Sequence, residues 1–214
     1  MQTKTSYRDE ELILMIEDDK IHSQKLQDAL YQREGEYYCK KFYGRFPRAE
    51  KLMANFSRLM PSALEDGNWD RALLSVAEIC KENHIVWFLT GSACDAVRGI
   101  DVFPHDLDIQ IAINHWHRAE EIFVDYTVEP FIETKGWVRD YWSRLAVEDT
   151  LVDLVADEKY DFPHHEYEPF LWKGHLLWLE PFMVRYKTES ARGRKDRIAA
   201  FKDYISENLM SGRG

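Results

Sequence analysis

Apolar residues recur at helical intervals through the first part of the chain. Leu12, Met15, Ile16, Leu26, Ala29 and Leu30 form one set, and Phe46, Ala49, Leu52, Met53, Phe56 and Leu59 a second. This spacing predicts two or more helices between Tyr7 and Leu64, the first of them long. Pro61 and the polar stretch Glu65-Asp66-Gly67-Asn68 punctuate the end of the region. It contains no repeat and no chemical motif. Its apolar stripes are expected to pack on the rest of the chain or on a second subunit.

From Trp69 the pattern changes. Trp69 to His84 reads as an amphipathic helix with Ala72, Leu73, Val76, Ala77 and Ile79 on its apolar side. Ile85 to Leu89 reads as a buried strand, Ala93 to Arg98 as a short helix, and Leu107 to Ile113 as a second strand. His115 to Val124 is expected to be helical, with strands over Trp137 to Val147 and Leu151 to Ala156. The apolar segment "GHLLWLEPF" leads to helices around Met183 to Glu189 and Lys195 to Leu209. Helices alternating with strands, followed by further strands, predict an α+β fold: an α/β sandwich with a small mixed sheet. The expected division is a helical N-terminal extension (1–68), a core (69–180) and C-terminal helices packing on that core (181–214).

Composition narrows this only a little. The chain of 214 residues suffices for one domain, or one domain with an extension. Cys39, Cys80 and Cys94 are odd in number and widely spaced, which argues against a disulfide framework and a zinc site. The start of the chain has no apolar signal core and no stretch is long enough to span a membrane, so a cytoplasmic location is expected. The net charge of −10 disfavours nucleic acid as a partner. Between Arg185 and Lys202, however, seven basic residues face only Glu189 and Asp196. Such a patch on an acidic chain suits a small polyanion, although a solvated helix face has the same composition.

The candidate chemistry lies in "HIVWFLTGSACDAVRGIDVFPHDLDIQIAI". Strand side chains alternate, so Asp106 and Asp108 project to one side. Placing two like charges among apolar neighbours is costly unless a divalent cation lies between them. Gly91 lets the backbone approach a phosphate, and the amides of Gly91 and Ser92 can donate to its oxygens. Downstream, "TLVDLVAD" sets Val152, Leu154 and Ala156 on one face and Asp153 on the other. Asp149 and Asp157 share the parity of Asp153 and stay open as alternatives. His105-Asp106 also admits a phosphohydrolase reading. His164-His165 lies in a proline-flanked loop. Trp137, Tyr141, Trp142, Trp172 and Trp178 are expected mostly in packing.

A strand ending in Gly91-Ser92, then Asp106-x-Asp108, then a further acidic residue resembles the nucleotidyltransferase superfamily typified by DNA polymerase beta. Within it, the likeness is to the minimal and antibiotic nucleotidyltransferases, over roughly residues 69 to 203. The resemblance implies Mg²⁺ (one or two ions) on Asp106, Asp108 and Asp153, with Asp153 completing the catalytic set as general base. It implies a nucleoside triphosphate as co-substrate, held by Gly91 and Ser92 and by Lys187 and Lys195 of the C-terminal helices. The acceptor is expected to be a small molecule, with a protein hydroxyl or a tRNA end left open. The alternative is a non-catalytic or protein-targeting relative of toxin–antitoxin type, with the N-terminal helices as a docking or oligomer surface.

Overall fold

The segment Glu11–Glu17 buries Leu12, Leu14 and Ile16 and leaves Ile13 and Met15 half-covered, a period of two and not of 3.6. It is strand β2, paired antiparallel with β1 (Thr3–Arg8) through the two-residue turn Asp9-Glu10. Both turn residues have positive φ, 52° and 61°, the twist that joins strands tightly. With β3 (Gln32–Glu34) and β4 (Tyr37–Tyr43) they form a sheet of order β1-β2-β4-β3. The expected N-terminal helical extension is thus corrected: up to Tyr43 the only helix among the described residues is the short α1 (Ser23–Asp28). Five consecutive apolar residues, Leu12 to Ile16, satisfy either period. The turn lacks the Gly or Asn that would have marked a hairpin.

This computed structural model describes residues 1–17, 21–65, 67–134, 139–158 and 166–210. Asp66, Trp137, His164 and His165, singled out in the sequence, lie outside the described residues.

The second apolar set does form a helix, α2 (Ala49–Ala63), with Pro61 in its last turn. α2 lies between β1–β2 on one side and the larger sheet on the other. Leu52, Phe56 and Met60 share a core with Leu12, Leu14 and Ile16 of β2 and with Val128, Trp142 and Ala146 of the larger sheet. Each large side chain buried there contributes about 1.5–3 kcal/mol. Apart from Leu30, which is 50% exposed, the apolar stripes of the N-terminal region are therefore largely covered by this same chain. Asn55 fastens the junction, donating to the carbonyls of Val124 at 2.8 Å and Thr127 at 3.1 Å.

The larger sheet comprises β5 (Trp87–Thr90), β6 (Asp106–Ile111), β7 (Thr127–Glu133), β8 (Tyr141–Val147), β9 (Thr150–Ala156), β10 (Glu168–Trp172) and β11 (His175–Leu179). Its order is β10-β11-β5-β6-β9-β8-β7. The pairs β11–β5 and β6–β9 are parallel and the rest antiparallel, so the sheet is mixed and the fold is α+β. Its second face is covered by α3 (Trp69–Glu82), α4 (Gly91–Val97) and α5 (Trp116–Ile122), around Leu73, Val76, Leu107, Ile109 and Leu154. Asn68 caps α3 by accepting from the Arg71 amide. The last described elements are α6 (Phe182–Ala191) and α7 (Lys195–Met210).

Three strands of this sheet have no clear signature in the sequence. β7 contains Glu129 and Pro130, which a strand interior disfavours; it survives as an edge strand with its register broken at that place. β10 and β11 form a hairpin on Lys173-Gly174, with φ of 47° and 84°. Among the described residues no helix is long and apolar enough to cross a membrane.

Candidate active site

Register decides what meets what. Thr90 pairs with Asp108 across β5–β6, Asp108 with Asp153 across β6–β9, Arg144 with Asp153 across β8–β9, and Glu129 with Arg144 across β7–β8. Directly paired residues project to the same face, so Asp108, Asp153, Arg144 and Glu129 form one row across four strands. Asp106, two residues before Asp108, shares that face. Asp149 and Asp157 lie elsewhere. Asp149 is in the exposed β8–β9 turn at φ 57°. Asp157 accepts from Gln110 at 3.1 Å and Arg139 at 2.6 Å beyond the far end of β9.

Gly91 opens α4 directly above this row. Its φ is +67°, and a Cβ there would lie 1.9 Å from Asp108 Oδ2. The backbone of the Gly91-Ser92 turn thus comes as near to the carboxylate as any backbone could. Gly91→Ala is expected to cost about 1–2 kcal/mol for the backbone alone and to displace Asp108 besides. Thermal unfolding followed by circular dichroism checks this; an unchanged midpoint would contradict it.

Asp106 and Asp108 are partly open to a cleft of about 710 Å³ and enclosed on their other sides. Burial, and then the charges of Asp106 and Asp153, push Asp108 up to about 7. Burial and then the charge of Asp153 raise Asp106 as well. Carboxylates so crowded call for a cation. Asp153 contributes less to that demand, because both its oxygens accept from Arg144: Nε to Oδ1 at 2.6 Å and Nη2 to Oδ2 at 3.0 Å. Among the described residues no three Asp, Glu, His or Cys side chains form a ready-made metal cage. Magnesium commonly takes one or two carboxylates and completes its shell with substrate phosphates. Asp106 and Asp108 fit that mode.

The opposite wall is cationic. Arg185, Arg192, Arg194 and Arg197 from the C-terminal helices and the turn between them line the cleft. Arg185 is 4% exposed and forks onto Asp95 of α4 at 3.0 and 2.8 Å, with Glu189 at 2.9 Å. It therefore ties α6 to the helix that carries Gly91-Ser92. Arg192 and Arg194 are about half-exposed and reach Glu189 at 3.7 and 3.4 Å. Arg197 Nη1 is buried with no hydrogen-bond partner among the described residues, a donor suited to an incoming anion. Among the described residues, six cationic and five anionic side chains line the cleft of a chain whose net charge is −10. The positive potential is thus concentrated where a polyanion would enter.

The third wall comes from the N-terminal region. Gln24 and Asp28 of α1 border the cleft, hydrogen-bonded to one another at 2.8 Å. Lys25 holds α1 there by donating to the Leu64 carbonyl at 2.7 Å.

Of the residues singled out in the sequence, Gly91, Ser92, Asp106, Asp108 and Asp153 meet in this cleft, together with His105. Lys187 and Lys195 are exposed and do not line it; the arginines beside them in sequence do. Helix phase explains the first case: Arg185 and Glu189, four apart, take the inner face of α6 and turn Lys187 outward. Arg144 and Glu129 escaped the sequence reading. Their signal was a charge with apolar residues close on either side, Arg144 between Trp142 and Leu145 and Glu129 between Val128 and Pro130. Trp172 stacks on Trp69 at 5.8 Å, and Trp142 packs beneath Lys40.

The shape of the molecule has counterparts among solved structures. The lincosamide antibiotic adenylyltransferase LnuA, solved with lincomycin bound, matches with a TM-score of 0.50 at 12% identity, over 64% of this chain and 98% of that one. A Thermotoga maritima protein described as a nucleotidyltransferase gives 0.49 at 20% identity, over 64% and 92%. ANT(2″)-Ia, in complex with adenylyl-2″-tobramycin, gives 0.45 at 9% identity, over 66% and 94%. No protein-family model matches the sequence, and no curated protein sequence matches it. At these identities the likeness is one of fold, and the fold is nucleotidyltransferase-like.

Proposed function

We propose that the protein is a magnesium-dependent nucleotidyltransferase, an enzyme that moves a nucleoside monophosphate from a nucleoside triphosphate to an acceptor hydroxyl. The observation that carries this is the row of Asp108 and Asp153, with Asp106 beside it, lying under Gly91-Ser92 in one cleft. Asp106 and Asp108 would hold Mg²⁺, which when bound neutralises phosphate charge next to the reacting phosphorus. The Gly91 and Ser92 amides donate to the β- and γ-phosphates. Arg192, Arg194 and Arg197 screen the remaining charge, and Arg185 fixes the helices that present both groups. Asp153 accepts the acceptor's proton on a lone pair that Arg144 leaves open. The acceptor oxygen bonds to the α-phosphorus as the bond to the bridging oxygen breaks, and pyrophosphate leaves. Positioning and charge neutralisation of this kind are the main protein contributions to phosphoryl chemistry.

A small-molecule acceptor suits the site best. The cleft of about 710 Å³ is closed on one side by α1, a volume typical of small-ligand sites. In this reading residues 69–180 are the catalytic core, 181–214 carry the phosphate-facing cations and 1–68 roof the acceptor side. Use of a nucleoside triphosphate agrees with a cytoplasmic location. The complete set of carboxylates gives the non-catalytic alternative no support.

The test is incubation with Mg²⁺ and each nucleoside triphosphate against a panel of hydroxylated small molecules, following pyrophosphate and labelled acceptor. Acceptor-dependent pyrophosphate release is expected. Release of orthophosphate without any acceptor would instead favour a phosphohydrolase using His105-Asp106. Arg197→Met is expected to weaken Mg-nucleotide binding about tenfold, the worth of one charge-assisted hydrogen bond. Lys187→Met is expected to leave that affinity within about twofold, since a distant exposed charge adds little. Equal effects from the two variants would contradict the placement of the triphosphate.

A further inference from the structure

We infer that the N-terminal sheet takes part in the reaction by holding Asp153 in position, through Glu129 and Arg144; this rests on the transferase reading of the cleft. Asp153 has both carboxylate oxygens on the Arg144 guanidinium, so the plane of the carboxylate is fixed by that of the arginine. Arg144 in turn donates from Nη1 to Glu129 Oε1 at 3.1 Å. Glu129 is fully buried, and the other partners of its carboxylate come from the N-terminal region. Tyr31 donates to Oε1 at 3.1 Å, and Lys40 of β4 pairs with Oε2 at 2.5 Å. Lys40 is seated over the Trp142 ring, 4.2 Å from its centroid. The result is an alternating line of charge, Lys40, Glu129, Arg144, Asp153, that begins in the added sheet and ends at the proposed base.

Stability alone gives a poor reason for this line. Burying several charges costs about as much as their pairing returns, and well-packed apolar side chains serve as well or better. Val128, Trp142 and Ala146 do that on the same strands. What an apolar replacement could not do is hold a carboxylate in one orientation. Glu129 is accordingly a positioning residue, acting on the acceptor proton only through Arg144 and Asp153. Groups that orient reactive side chains in this way commonly matter by about 10- to 100-fold.

The decisive variant is Glu129→Gln, which keeps the shape and removes the charge. Two readouts are made on the full chain: the Asp153 side-chain carboxyl ¹³C resonance, assigned with Asp153→Asn, and the steady-state kinetics of pyrophosphate release. The Asp153 resonance is expected to move. The kcat should fall about 10- to 100-fold, with KM for the nucleoside triphosphate within about twofold. Lys40→Met should change both readouts in wild type and add nothing in the Glu129→Gln background, because the two act along one line. A folded Glu129→Gln protein with an unmoved resonance and an unchanged kcat overturns the inference, and so does a rise in KM alone. If wild type transfers no nucleotide, the proposed activity falls, while the resonance still decides whether the N-terminal sheet positions Asp153. Should Glu129→Gln fail to fold, Tyr31→Phe removes one hydrogen bond to Glu129 and no charge. It should shift the same resonance by less, and no shift overturns the inference.

Discussion

Asp108→Asn is expected to cripple the proposed nucleotidyl transfer and to make the metal-free protein more stable. The first effect follows from the proposed role: Asp108 stands between the Gly91-Ser92 turn and Asp153, and removing its charge removes half of the metal-binding pair. A loss on the order of 10³-fold is expected, at the upper end of what a single charge-stabilising group supplies. The second effect follows from crowding. Burial and the neighbouring carboxylates push Asp108 up to about 7, against an ordinary value of 3.8. Between those values the folded state keeps a proton that the unfolded state has released. The contribution of Asp108 to metal-free stability is therefore greatest below about pH 4 and falls as the pH rises towards 7. Asparagine carries no such penalty. Its advantage should be near zero at pH 4 and reach roughly 1–2 kcal/mol at pH 8, allowing for the cleft's access to water. Thermal unfolding in EDTA across this range checks the sign. A variant less stable than wild type at pH 8 would show that the carboxylates do not repel as described.

Arg185→Met is the most damaging single change expected for the fold around the site. The guanidinium lies between Asp95 and Glu189, 0% and 1% exposed at their side chains, and its removal leaves buried Asp95 without its paired cation. Breaking a buried pair from one side typically costs about 3–5 kcal/mol, because a charge is left without compensation. In a chain of this size that lowers the unfolding midpoint by roughly 10 °C. Asp95→Asn in the same protein should recover part of the loss, because it removes the stranded charge. If the single variant melts like wild type, or if the second change adds a further loss, the triad is not the clamp between α4 and α6 described above.

The site was easier to read from sequence than the fold around it, and the reason is local. Gly91-Ser92 and Asp106-x-Asp108 fall within eighteen consecutive residues; strand alternation puts the two aspartates on one face, and the pairing of two strands adjacent in sequence brings the turn to them. Parity left Asp153 level with Asp149 and Asp157, and its pairing with Asp108 depends on β6 and β9 being parallel neighbours, which no short stretch encodes. The same holds for Arg144 and Glu129, whose partners are fixed by register across three strands. The N-terminal sheet was hidden by composition. Leu12 to Ile16 is apolar at every position, so a helical period could be read where Leu12, Leu14 and Ile16 alone are buried. Lys187 and Lys195 show the limit of proximity in sequence, since the inner face of α6 went to Arg185 and Glu189.

The most direct test of the central claim is calorimetric titration with a non-hydrolysable ATP analogue, with and without Mg²⁺, on wild type and on Asp106→Asn/Asp108→Asn. Binding that requires Mg²⁺ in wild type and vanishes in the double variant is the result expected of two carboxylates that hold the metal against the triphosphate. Failure of ATP, GTP, CTP and UTP analogues alike to bind wild type, or equal binding by the double variant, would contradict it.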